Sequence, residues 1–503
     1  MRTAAQTAFF MAILTLISKL LGFIREMVLA GFYGTSYVTD AYVLATNIPN
    51  MIFAGIFAAI ATAYMPLLSD KIEKSGQQEA NRFTSQIINI MLVVSAISSL
   101  LGILFSDQIV MIFASGFEGE TAQLTSWFIK VTFSYAFFTS TSGILQTYLQ
   151  YRNVFLSPIV AGYFQNFIII GIILFSAAYG HIYLAFGLLI GNAVRALIIY
   201  LVSKKHQYKY TFDFQLNEPI RHVFALALPT FIGGSVSQIN NFVDKTLATG
   251  LAEGSASALN YANLLILLVT GLTASIFATI LYPKLTQASV LKDNQRFGEI
   301  VGSGIHLIGM VGIPFTLGAM VYSEQVVQII YERGAFDPAA TSLTSSAFFY
   351  YGVGLFFVAL VPFIGQMYYS RKNMKTPMLI GLVSIVIGVV LNLILVQYMA
   401  HDGLALATSI ATACNACFLY IGFKRFYPDI PMFASGKKLF KILFASIVAV
   451  GVSYLFYYFV GNAIFLPRMV LLGLTVILAA LLYLALLILF KIEEVKYIKQ
   501  ILR

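Results

Sequence analysis

Two cationic residues lie inside the first hydrophobic segment of the chain, where charge is expensive. Lys19 and Arg25 fall within an apolar run from about residue 9 to residue 32, and Glu26 follows directly. A Lys or Arg at the centre of a membrane helix costs about 2.5–3.5 kcal/mol on insertion scales, so such residues normally face a protein interior or a watery cavity. We therefore expect Lys19 and Arg25 to bind an anionic substrate in an aqueous pocket within the membrane.

The spacing of the polar residues supports a shared cavity wall. Ser18 and Arg25 are seven residues apart, as are Lys19 and Glu26, and at about 100° per residue each pair lies nearly on one line of a helix. Gly22 lies angularly between the two lines. We expect Ser18, Gly22 and Glu26 to serve in gating or in pairing of this helix. The alternative is that the charged residues are structural pairs that lock helices together.

The composition is that of a polytopic membrane protein. Of the 503 residues, 59% are hydrophobic and 10% are charged, whereas soluble domains carry about 25% charged residues. The mean hydropathy is +0.84. Apolar stretches of about 20 residues predict an all-α fold with about fourteen transmembrane helices, the first of them an uncleaved membrane anchor. The predicted spans are approximately 8–32, 38–65, 86–113, 123–149, 156–179, 183–203, 222–250, 256–282, 300–324, 342–369, 377–399, 403–423, 439–460 and 467–490.

The distribution of Lys and Arg predicts the orientation of the chain. The predicted outer loops hold Arg333 and Arg468, and the other basic residues outside the spans lie in the predicted inner loops and termini. By the positive-inside rule, both termini face the cytoplasm. This asymmetry accounts for the net charge of +10, so we expect no nucleic-acid partner. Away from the first three positions of a span, the basic residues inside predicted spans are Lys19, Arg25, Lys130, Arg195 and Lys245.

Similar motifs recur in the two halves of the chain. The stretch 61–68 is similar to 278–285 at an offset of 217 residues, and the Arg and Pro at 152–158 recur at 371–377 at an offset of 219. An even number of helices per block gives a parallel repeat, as in some transporters. Two such lobes meeting at a central cleft predict rocking between inward-open and outward-open states. The predicted divisions are an N-terminal lobe of helices 1–6 (1–215), a C-terminal lobe of helices 7–12 (216–430), and helices 13–14 with a cytoplasmic tail (431–503).

Other polar residues are candidates for the same substrate site. Asp40 opens helix 2, either as a first-turn acid stabilised by the helix dipole or as a gating partner of the helix 1 cations. Asn50 follows a proline that is expected to break helix 2, either as a bend lining the cavity or as a packing kink. Lys245 in helix 7 either contributes to the cavity or snorkels to an interface. Arg371 and Lys375 in an inner hairpin either signal topology or bind a phosphate at the cytoplasmic mouth.

Several classes of function lack their usual residues. No Gly-rich phosphate-binding loop with Lys-Ser or Lys-Thr is present, which argues against an ATP-driven pump. Cys414 and Cys417 are interpreted as small apolar filler, and the five His are scattered rather than clustered as metal ligands. The modest outer loops argue against a glycan polymerase or ligase. We expect a transporter rather than an enzyme, with no cofactor, metal or catalytic residue, that depends on the membrane potential or a coupling ion.

Taken together, these motifs resemble the MurJ/MviN lipid II flippases of the multidrug/oligosaccharidyl-lipid/polysaccharide exporter superfamily. The resemblance runs nearly end to end, and its most specific parts are the helix 1–2 stretch and the Tyr-Ser-Arg…Lys-Thr-Pro hairpin. The matching segments are 18–26, 39–42, 48–50, 331–336, 369–377 and 403–405 with Asn415.

The resemblance implies a fourteen-helix, two-lobed flippase of the bacterial cytoplasmic membrane. Such proteins move an undecaprenyl-pyrophosphate-linked glycan, here the peptidoglycan precursor lipid II, from the inner to the outer leaflet by alternating access. The resemblance also implies a cationic cavity for the head group and a groove on helices 13 and 14 for the polyprenyl tail. The family's helix 1 cations fall on Lys19 and Arg25, and its helix 2 acid falls on Asp40. We expect a monomer whose partners are this substrate and membrane lipids.

The chain departs from the family pattern in helices 2 and 8. Gram-negative-type members carry an arginine pair shortly after Pro-Asn, where this chain has Met-Ile-Phe-Ala at 51–54, and a further arginine where this chain has Leu264. A pyrophosphate still needs charge-assisted partners, and Lys245 is a candidate substitute. The departure leaves open a flippase for another polyprenyl-linked unit, such as teichoic acid, O-antigen or capsule. A MATE-type drug antiporter is a further alternative, but such proteins prefer acidic cavity residues.

Overall fold

The computed structural model describes residues 4–431, 435–463 and 467–494. Every regular element in these ranges is helical, in agreement with the predicted all-α class. The helices are α1 (Ala4–Tyr33), α2 (Tyr37–Leu104), α3 (Ser106–Phe113), α4 (Gly119–Phe133), α5 (Ala136–Tyr151), α6 (Leu156–Tyr179), α7 (Phe186–Lys205), α8 (Glu218–Thr249), α9 (Ser255–Val290), α10 (Asn294–Val321), α11 (Ser323–Tyr331), α12 (Pro338–Ser370), α13 (Lys375–Phe426), α14 (Gly436–Ala463) and α15 (Arg468–Leu489), with a 3₁₀ turn at His181–Ala185.

Two of these helices are far longer than a bilayer is thick. α2 has 68 residues and α13 has 52, which correspond to about 100 Å and about 80 Å of straight helix, against a hydrocarbon core of about 30 Å. Helical geometry is interrupted inside each, at Gly76 (φ 79°) in α2 and at Ala400 (φ 48°) in α13. Shortly after Ala400, a Cβ at Gly403 would lie 2.4 Å from the Leu395 carbonyl oxygen. Each long helix therefore provides the length of two predicted spans, joined at a sharp break.

Eight helices in the described ranges are long and apolar enough to cross a membrane. Their outer surfaces are apolar, as on α15, where Ile477 is 57% exposed and Leu481 is 63% exposed. The multi-pass membrane class is therefore confirmed, and the count of fourteen spans stays a prediction. In detail, predicted helix 4 is divided into α4 and α5 around Ser134 and Tyr135, and the segment at about 323–341, predicted as an outer loop, contains the nine-residue α11.

The predicted break of helix 2 at Pro49 is wrong, because α2 continues through this proline. Proline has no N–H for the carbonyl four residues earlier, which here belongs to Ala45. Thr132 Oγ1 of α4 donates a hydrogen bond to that oxygen at 2.8 Å. A hydroxyl from a neighbouring helix thus satisfies the freed carbonyl, and a role of this segment in lining a cavity stays a prediction.

The chain divides into two compact units. Unit 1 comprises Met1–Ser257 and Arg333–Asp337, and unit 2 comprises Ala258–Glu332 and Pro338–Arg503. The core of unit 1 includes the buried rings of Tyr64, Phe83 and Tyr148, and that of unit 2 includes Phe297, Phe363 and Tyr368. Helix α8 falls in unit 1, and the lobe divisions predicted from the repeat stay a prediction.

In unit 1, the segment between α7 and α8 is held along one face of α2 by polar contacts. Arg82 Nε donates to Asp213 Oδ2 at 2.5 Å, and Asn89 Nδ2 donates to the Asp213 carbonyl at 2.9 Å. Ser85 Oγ accepts from the Thr211 amide at 3.1 Å. Because Arg82, Ser85 and Asn89 are three and four residues apart, they share a helix face. This segment is therefore a fixed part of unit 1.

Left-handed backbone positions recur at the offset that the sequence repeat predicts. Asn153 (φ 59°) follows α5 as Lys372 (φ 60°) follows α12, 219 residues later. The other positions that recur at similar spacing are Gly34 with Gly254, Gly76 with Lys292, and Gly180 with Ala400, at offsets of 220, 216 and 220 residues. A shared order of sharp turns supports the predicted repeat, which itself stays a prediction.

In unit 2, α14, α15 and the segment that follows α15 are tied to α10. The Met310 carbonyl, freed by Pro314 in α10, accepts from Tyr483 Oη of α15 at 2.8 Å. Further along, His306 Nδ1 of α10 lies 2.7 Å from Glu494 Oε1 beyond the end of α15, and Lys438 Nζ of α14 donates to the same oxygen at 3.1 Å. These contacts make α10, α14 and α15 one packed group.

Candidate functional site

The predicted functional residues of α1 include a close ion pair inside unit 1. Glu26 Oε1 accepts from Arg25 Nη2 at 2.6 Å and from Arg25 Nε at 3.1 Å. Arg25 Nη1 donates to Asn166 Oδ1 of α6 at 3.3 Å. The side chain of Glu26 is 11% exposed and that of Arg25 is 27% exposed. The pair is therefore largely buried. Charge–charge attraction in a buried site is stronger than in water.

The polar face of α1 packs against α6. A Cβ at Gly22 would lie 4.0 Å from Asn166 Oδ1, and a Cβ at Gly162 would lie 3.5 Å from Ser18 Oγ. Ser18, Gly22 and Arg25 therefore share one side of α1, as their spacing predicts. The absence of a side chain at Gly22 leaves room for the Asn166 amide beside Arg25. In this structure, Ser18 and Gly22 thus serve the pairing of α1 with α6.

Lys245 of α8 extends the charged cluster. Its ammonium interacts electrostatically with Asp244 and Glu26, and the Arg25 guanidinium interacts with the buried phenol of Tyr42 on α2. Asp244 is itself buried, at 8% exposure. The structure therefore places two of the predicted substrate-binding cations, Arg25 and Lys245, in one charged cluster of unit 1, with Arg25 in direct contact with Glu26.

The structure leaves Lys19 and Asn50 outside this cluster. Both residues are exposed, and within the described ranges neither makes a hydrogen bond or an ion pair. The alternative pairing of Lys19 with Glu26 is not formed, because Glu26 accepts from Arg25 instead. Lys19 lies six positions before Arg25, about 9 Å along the helix axis. Lys19 is therefore a cation whose hydrogen-bond donors are open to a ligand.

Asp40 bonds to backbone amides rather than to the α1 cations. Asp40 Oδ2 accepts from the Gly254 amide at 2.7 Å, and Oδ1 accepts from the Ser257 amide at 2.7 Å. These amides flank the first turn of α9, where N–H groups have no partner inside the helix. Asp40 is 3% exposed. It thus acts as a cap for a second helix, a role that its position in the first turn of α2 did not predict.

The two hairpin cations are placed differently from each other. Arg371 Nη2 donates to Asn294 Oδ1 at 2.8 Å, and the guanidinium lies 4.6 Å from the ring centroid of Phe297. A stacked arginine of this kind is held in place by the ring as well as by the hydrogen bond. Lys375 begins α13 and is exposed. Within the described structure, Arg371 is part of the packing around α10, and Lys375 is the member of the pair that faces outwards.

Sequence reasoning missed the partners of the buried cations. Asn166 supports Arg25, and a second amide in the same apolar helix, Gln165, accepts from Arg195 Nη1 at 3.3 Å. Gln146 Oε1 accepts from Arg195 Nη2 at 3.0 Å, and no carboxylate contacts Arg195 in the described ranges. Two adjacent amides in the apolar span of α6 were the available signal, because polar side chains in such a span need partners.

The charges of this cluster would allow another anion to take the place of Glu26 on Arg25. Arg25 presents a planar fork of N–H donors that matches carboxylate and phosphate oxygens equally well. In this structure, Glu26 occupies the fork, and Lys245 and Asp244 balance each other nearby. A dianionic group that replaces Glu26 on Arg25 would gain a second interaction with Lys245. The arrangement therefore suits an anion of higher charge than a single carboxylate, and among the described residues no metal-ligand cluster is found.

Comparison with known proteins identifies the family of the chain. The sequence matches the family model of the lipid II flippase MurJ over residues 29–486. A probable lipid II flippase MurJ of Rickettsia prowazekii is 27% identical over 432 residues, 83% of each chain. The lipid II flippase MurJ of Burkholderia cenocepacia is 24% identical over 426 residues, 82% of each chain.

Solved structures show the same relationship. Lipid II flippase MurJ in an inward closed conformation superposes with a TM-score of 0.82 at 28% identity, covering 96% of this chain and 98% of that one. An inward-facing multidrug resistance MATE family transporter of the MOP superfamily has a TM-score of 0.67 at 14% identity, covering 82% of this chain and 94% of that one, and shares the fold alone. The family model spans most of the chain, and the chain therefore belongs to the lipid II flippase MurJ family.

Proposed function

We propose that this protein translocates lipid II, an undecaprenyl-pyrophosphate-linked glycan, from the inner to the outer leaflet of the bacterial cytoplasmic membrane. The observation that carries the proposal is the Arg25 guanidinium, held inside a membrane helix bundle by Glu26 and Asn166 with Lys245 nearby. Membership of the MurJ family and the similarity to the solved MurJ structure support it. The protein is thus proposed to be a transporter rather than an enzyme.

The pyrophosphate is proposed to replace Glu26 on the Arg25 guanidinium. While no substrate is bound, the Arg25–Glu26 pair avoids the cost of an uncompensated charge in a low-dielectric region. A pyrophosphate carries more charge than one carboxylate and offers several oxygens for charge-assisted hydrogen bonds. Lys19, which is exposed, and Lys245 supply the remaining positive charge. In this way two lysines take the place of the family arginines that are absent after Pro49 and at Leu264.

Alternating access is proposed to follow from two repeated lobes. The recurrent left-handed turns in the two halves of the chain support the repeat. The membrane potential, negative inside, favours the α1 cations facing the cytoplasm when empty, because each elementary charge moved across it is worth about 2.3 kcal/mol per 100 mV. A coupling ion is the alternative source of energy. We further propose a monomer, with substrate and membrane lipids as its partners.

The proposed topology places both termini in the cytoplasm. The Lys and Arg asymmetry of the predicted loops supports it. On this topology, the hairpin between α12 and α13 lies at the cytoplasmic mouth, where exposed Lys375 is suited to meet an incoming phosphate and Arg371 holds the hairpin against α10. The apolar surfaces of α14 and α15 are proposed to receive the polyprenyl tail.

Depletion of the protein tests the substrate. Cells carrying the gene under a repressible promoter are shifted to repressing conditions, and lipid-linked precursors are extracted and quantified by mass spectrometry. Accumulation of lipid II, with undecaprenyl-linked teichoic-acid, O-antigen or capsule units unchanged, is expected. Accumulation of one of those other units at normal lipid II levels would reject lipid II as the substrate and favour a flippase for that unit.

A further inference from the structure

A cavity of about 600 Å³ lies where the start of α14 meets the end of α15 in unit 2. The residues that line it are Gly436, Lys437, Phe440, Lys441, Phe444 and Phe490. On α14 these positions recur every four residues, so they form one face of the helix. Phe440 is 67% exposed and Phe444 is 49% exposed. Apart from its two lysines, this cavity is therefore an apolar recess that opens to the surroundings of the helix pair.

The acidic residues nearby are engaged on another side of α14. Lys438, which lies between the two lining lysines in sequence, contacts Glu494 at 3.1 Å and Glu493 at 3.7 Å. Lys441 Nζ donates one hydrogen bond to the Phe490 carbonyl at 3.3 Å, so its other ammonium hydrogens have room for a ligand. Lys437 makes no hydrogen bond or ion pair in the part of the chain that the structure describes. The cavity thus presents two cations and, among its lining residues, no carboxylate.

The depth of the cavity fits the upper part of one lipid. From Gly436 to Phe444 the helix rises about 12 Å, less than half of a hydrocarbon core of about 30 Å. Phe444 and Phe490 close the recess, with their ring centroids 6.1 Å apart. A head group with the first methylenes of an acyl chain fills such a space, whereas a long polyprenyl tail would extend far beyond it.

We propose that this cavity binds an anionic phospholipid of the inner leaflet. Lys437 and Lys441 hold the phosphate, and the acyl chain lies against Phe440 and Phe444. Basic pockets between transmembrane helices on the cytoplasmic side suit acidic head groups, and two lysines give a preference of about 30-fold for an anionic over a zwitterionic lipid. The site shares no residue with the Arg25 cluster of unit 1. Because the site bridges α14 and α15, an occupied cavity also holds the two helices together.

Native mass spectrometry of the full-length protein in detergent tests this site. The protein is titrated with phosphatidylglycerol or phosphatidylethanolamine, and bound lipids are counted. Wild type is expected to bind one more molecule of phosphatidylglycerol than of phosphatidylethanolamine. The Lys437→Gln/Lys441→Gln variant is expected to bind phosphatidylglycerol about 30-fold more weakly. The Lys204→Gln/Lys205→Gln variant, which loses the same charge at the end of α7, should keep wild-type binding. Phe440→Ala, with both lysines present, should weaken retention of both lipids.

Equal phosphatidylglycerol binding by wild type and Lys437→Gln/Lys441→Gln would overturn the proposal. A second arm adds undecaprenyl pyrophosphate. Unchanged binding of that compound by the lysine variant supports a separate phospholipid site, whereas its loss in the variant would make the cavity part of the substrate path and the assignment wrong. No step of the experiment measures transport, so its outcome does not depend on the proposed flippase activity.

Discussion

The carboxylate of Glu26 accepts two hydrogen bonds from the guanidinium of its neighbour Arg25, at 2.6 and 3.1 Å. Adjacent residues on a helix point about 100° apart, so the long Arg25 side chain must reach sideways to Glu26 while it also donates to Asn166 of α6. Charged residues inside a membrane helix are costly, and those that are present usually serve a function. The pair holds Arg25 inside the bundle, and on the proposed function an anion replaces Glu26 there.

Removal of the guanidinium should abolish the essential function. We expect Arg25→Ala to fail to support growth of a cell depleted of its own flippase, although the protein reaches the membrane in normal amount. Loss of charge-assisted hydrogen bonds, each worth about 1.5–3 kcal/mol, removes most of the affinity for a pyrophosphate. Complementation and membrane immunoblotting are the measurements, with exposed Arg425→Ala as the matched control that grows normally. Full growth of Arg25→Ala would show that Arg25 does not bind the substrate.

Asp40 should prove to be a stabilising residue. Asp40→Ala leaves the amides of Gly254 and Ser257 without their acceptors, at about 1–3 kcal/mol for each buried group, so the unfolding temperature of the purified protein should fall clearly. Asp40→Asn keeps one side-chain oxygen as an acceptor, so the unfolding temperature of this variant should fall less. An Asp40→Ala protein that melts like wild type but does not transport would instead place Asp40 among the substrate contacts, as the sequence first indicated.

The class of fold and the polar face of α1 could be predicted from the sequence, because composition and helical periodicity are properties of the local sequence. Ser18, Gly22 and Arg25 do share a face, as a spacing of 3.6 residues per turn requires. The partners could not be predicted in the same way. Asn166 is 141 residues from Arg25, and nothing local to α1 selects it. Such contacts depend on how whole helices pack.

Pro49 also shows that contacts between distant residues could not be predicted from the local sequence. Pro49 was expected to break helix 2, because a missing N–H is visible in the sequence. The hydroxyl of Thr132, 87 residues from Ala45, replaces the lost partner, and the helix continues. A local rule fails here because a distant side chain supplies what the rule assumes is absent.

The contact between His306 and Glu494 should make stability depend on acid pH. The Ser435 amide donates to His306 Nε2 at 3.0 Å, so the His306 proton is on Nδ1 and is donated to Glu494. Burial raises the pKa of Glu494, but the hydrogen bonds from His306 and Lys438 outweigh it and lower that pKa from 4.5 to about 2. A carboxylate with a lowered pKa stabilises the folded state above its ordinary value, and this stabilisation is lost as the pH falls towards the folded value.

Thermal unfolding of Glu494→Gln between pH 7 and pH 2 measures this effect. The variant should be less stable than wild type at neutral pH, and the difference should shrink as the pH falls from about 4.5 towards about 2. Glu493→Gln is the matched control. The Glu493 side chain is 78% exposed, and the variant loses only a 3.7 Å contact with Lys438. A constant difference at every pH would mean that Glu494 acts through packing and not through its charge.

The hydroxyls that bond to freed carbonyls should each contribute to stability. Thr132→Val and Tyr483→Phe keep the shape of the side chain but leave the carbonyls of Ala45 and Met310 unsatisfied, so each should lower the free energy of unfolding by about 1–3 kcal/mol. Thr141→Val is the control, because the Thr141 hydroxyl bonds the Phe137 carbonyl of its own helix and such local bonds contribute little. Equal effects for all three variants would contradict a special role for the carbonyls before proline.

The outer-leaflet content of lipid II tests most directly whether this protein moves it. Cells that depend on the protein are depleted of it while lipid II synthesis continues, and lipid II accessible from outside is labelled and counted against the total. We predict that the accessible fraction falls as the protein disappears, and that wild type restores it whereas Arg25→Ala does not. An accessible fraction that stays constant through depletion would contradict the proposed flippase activity.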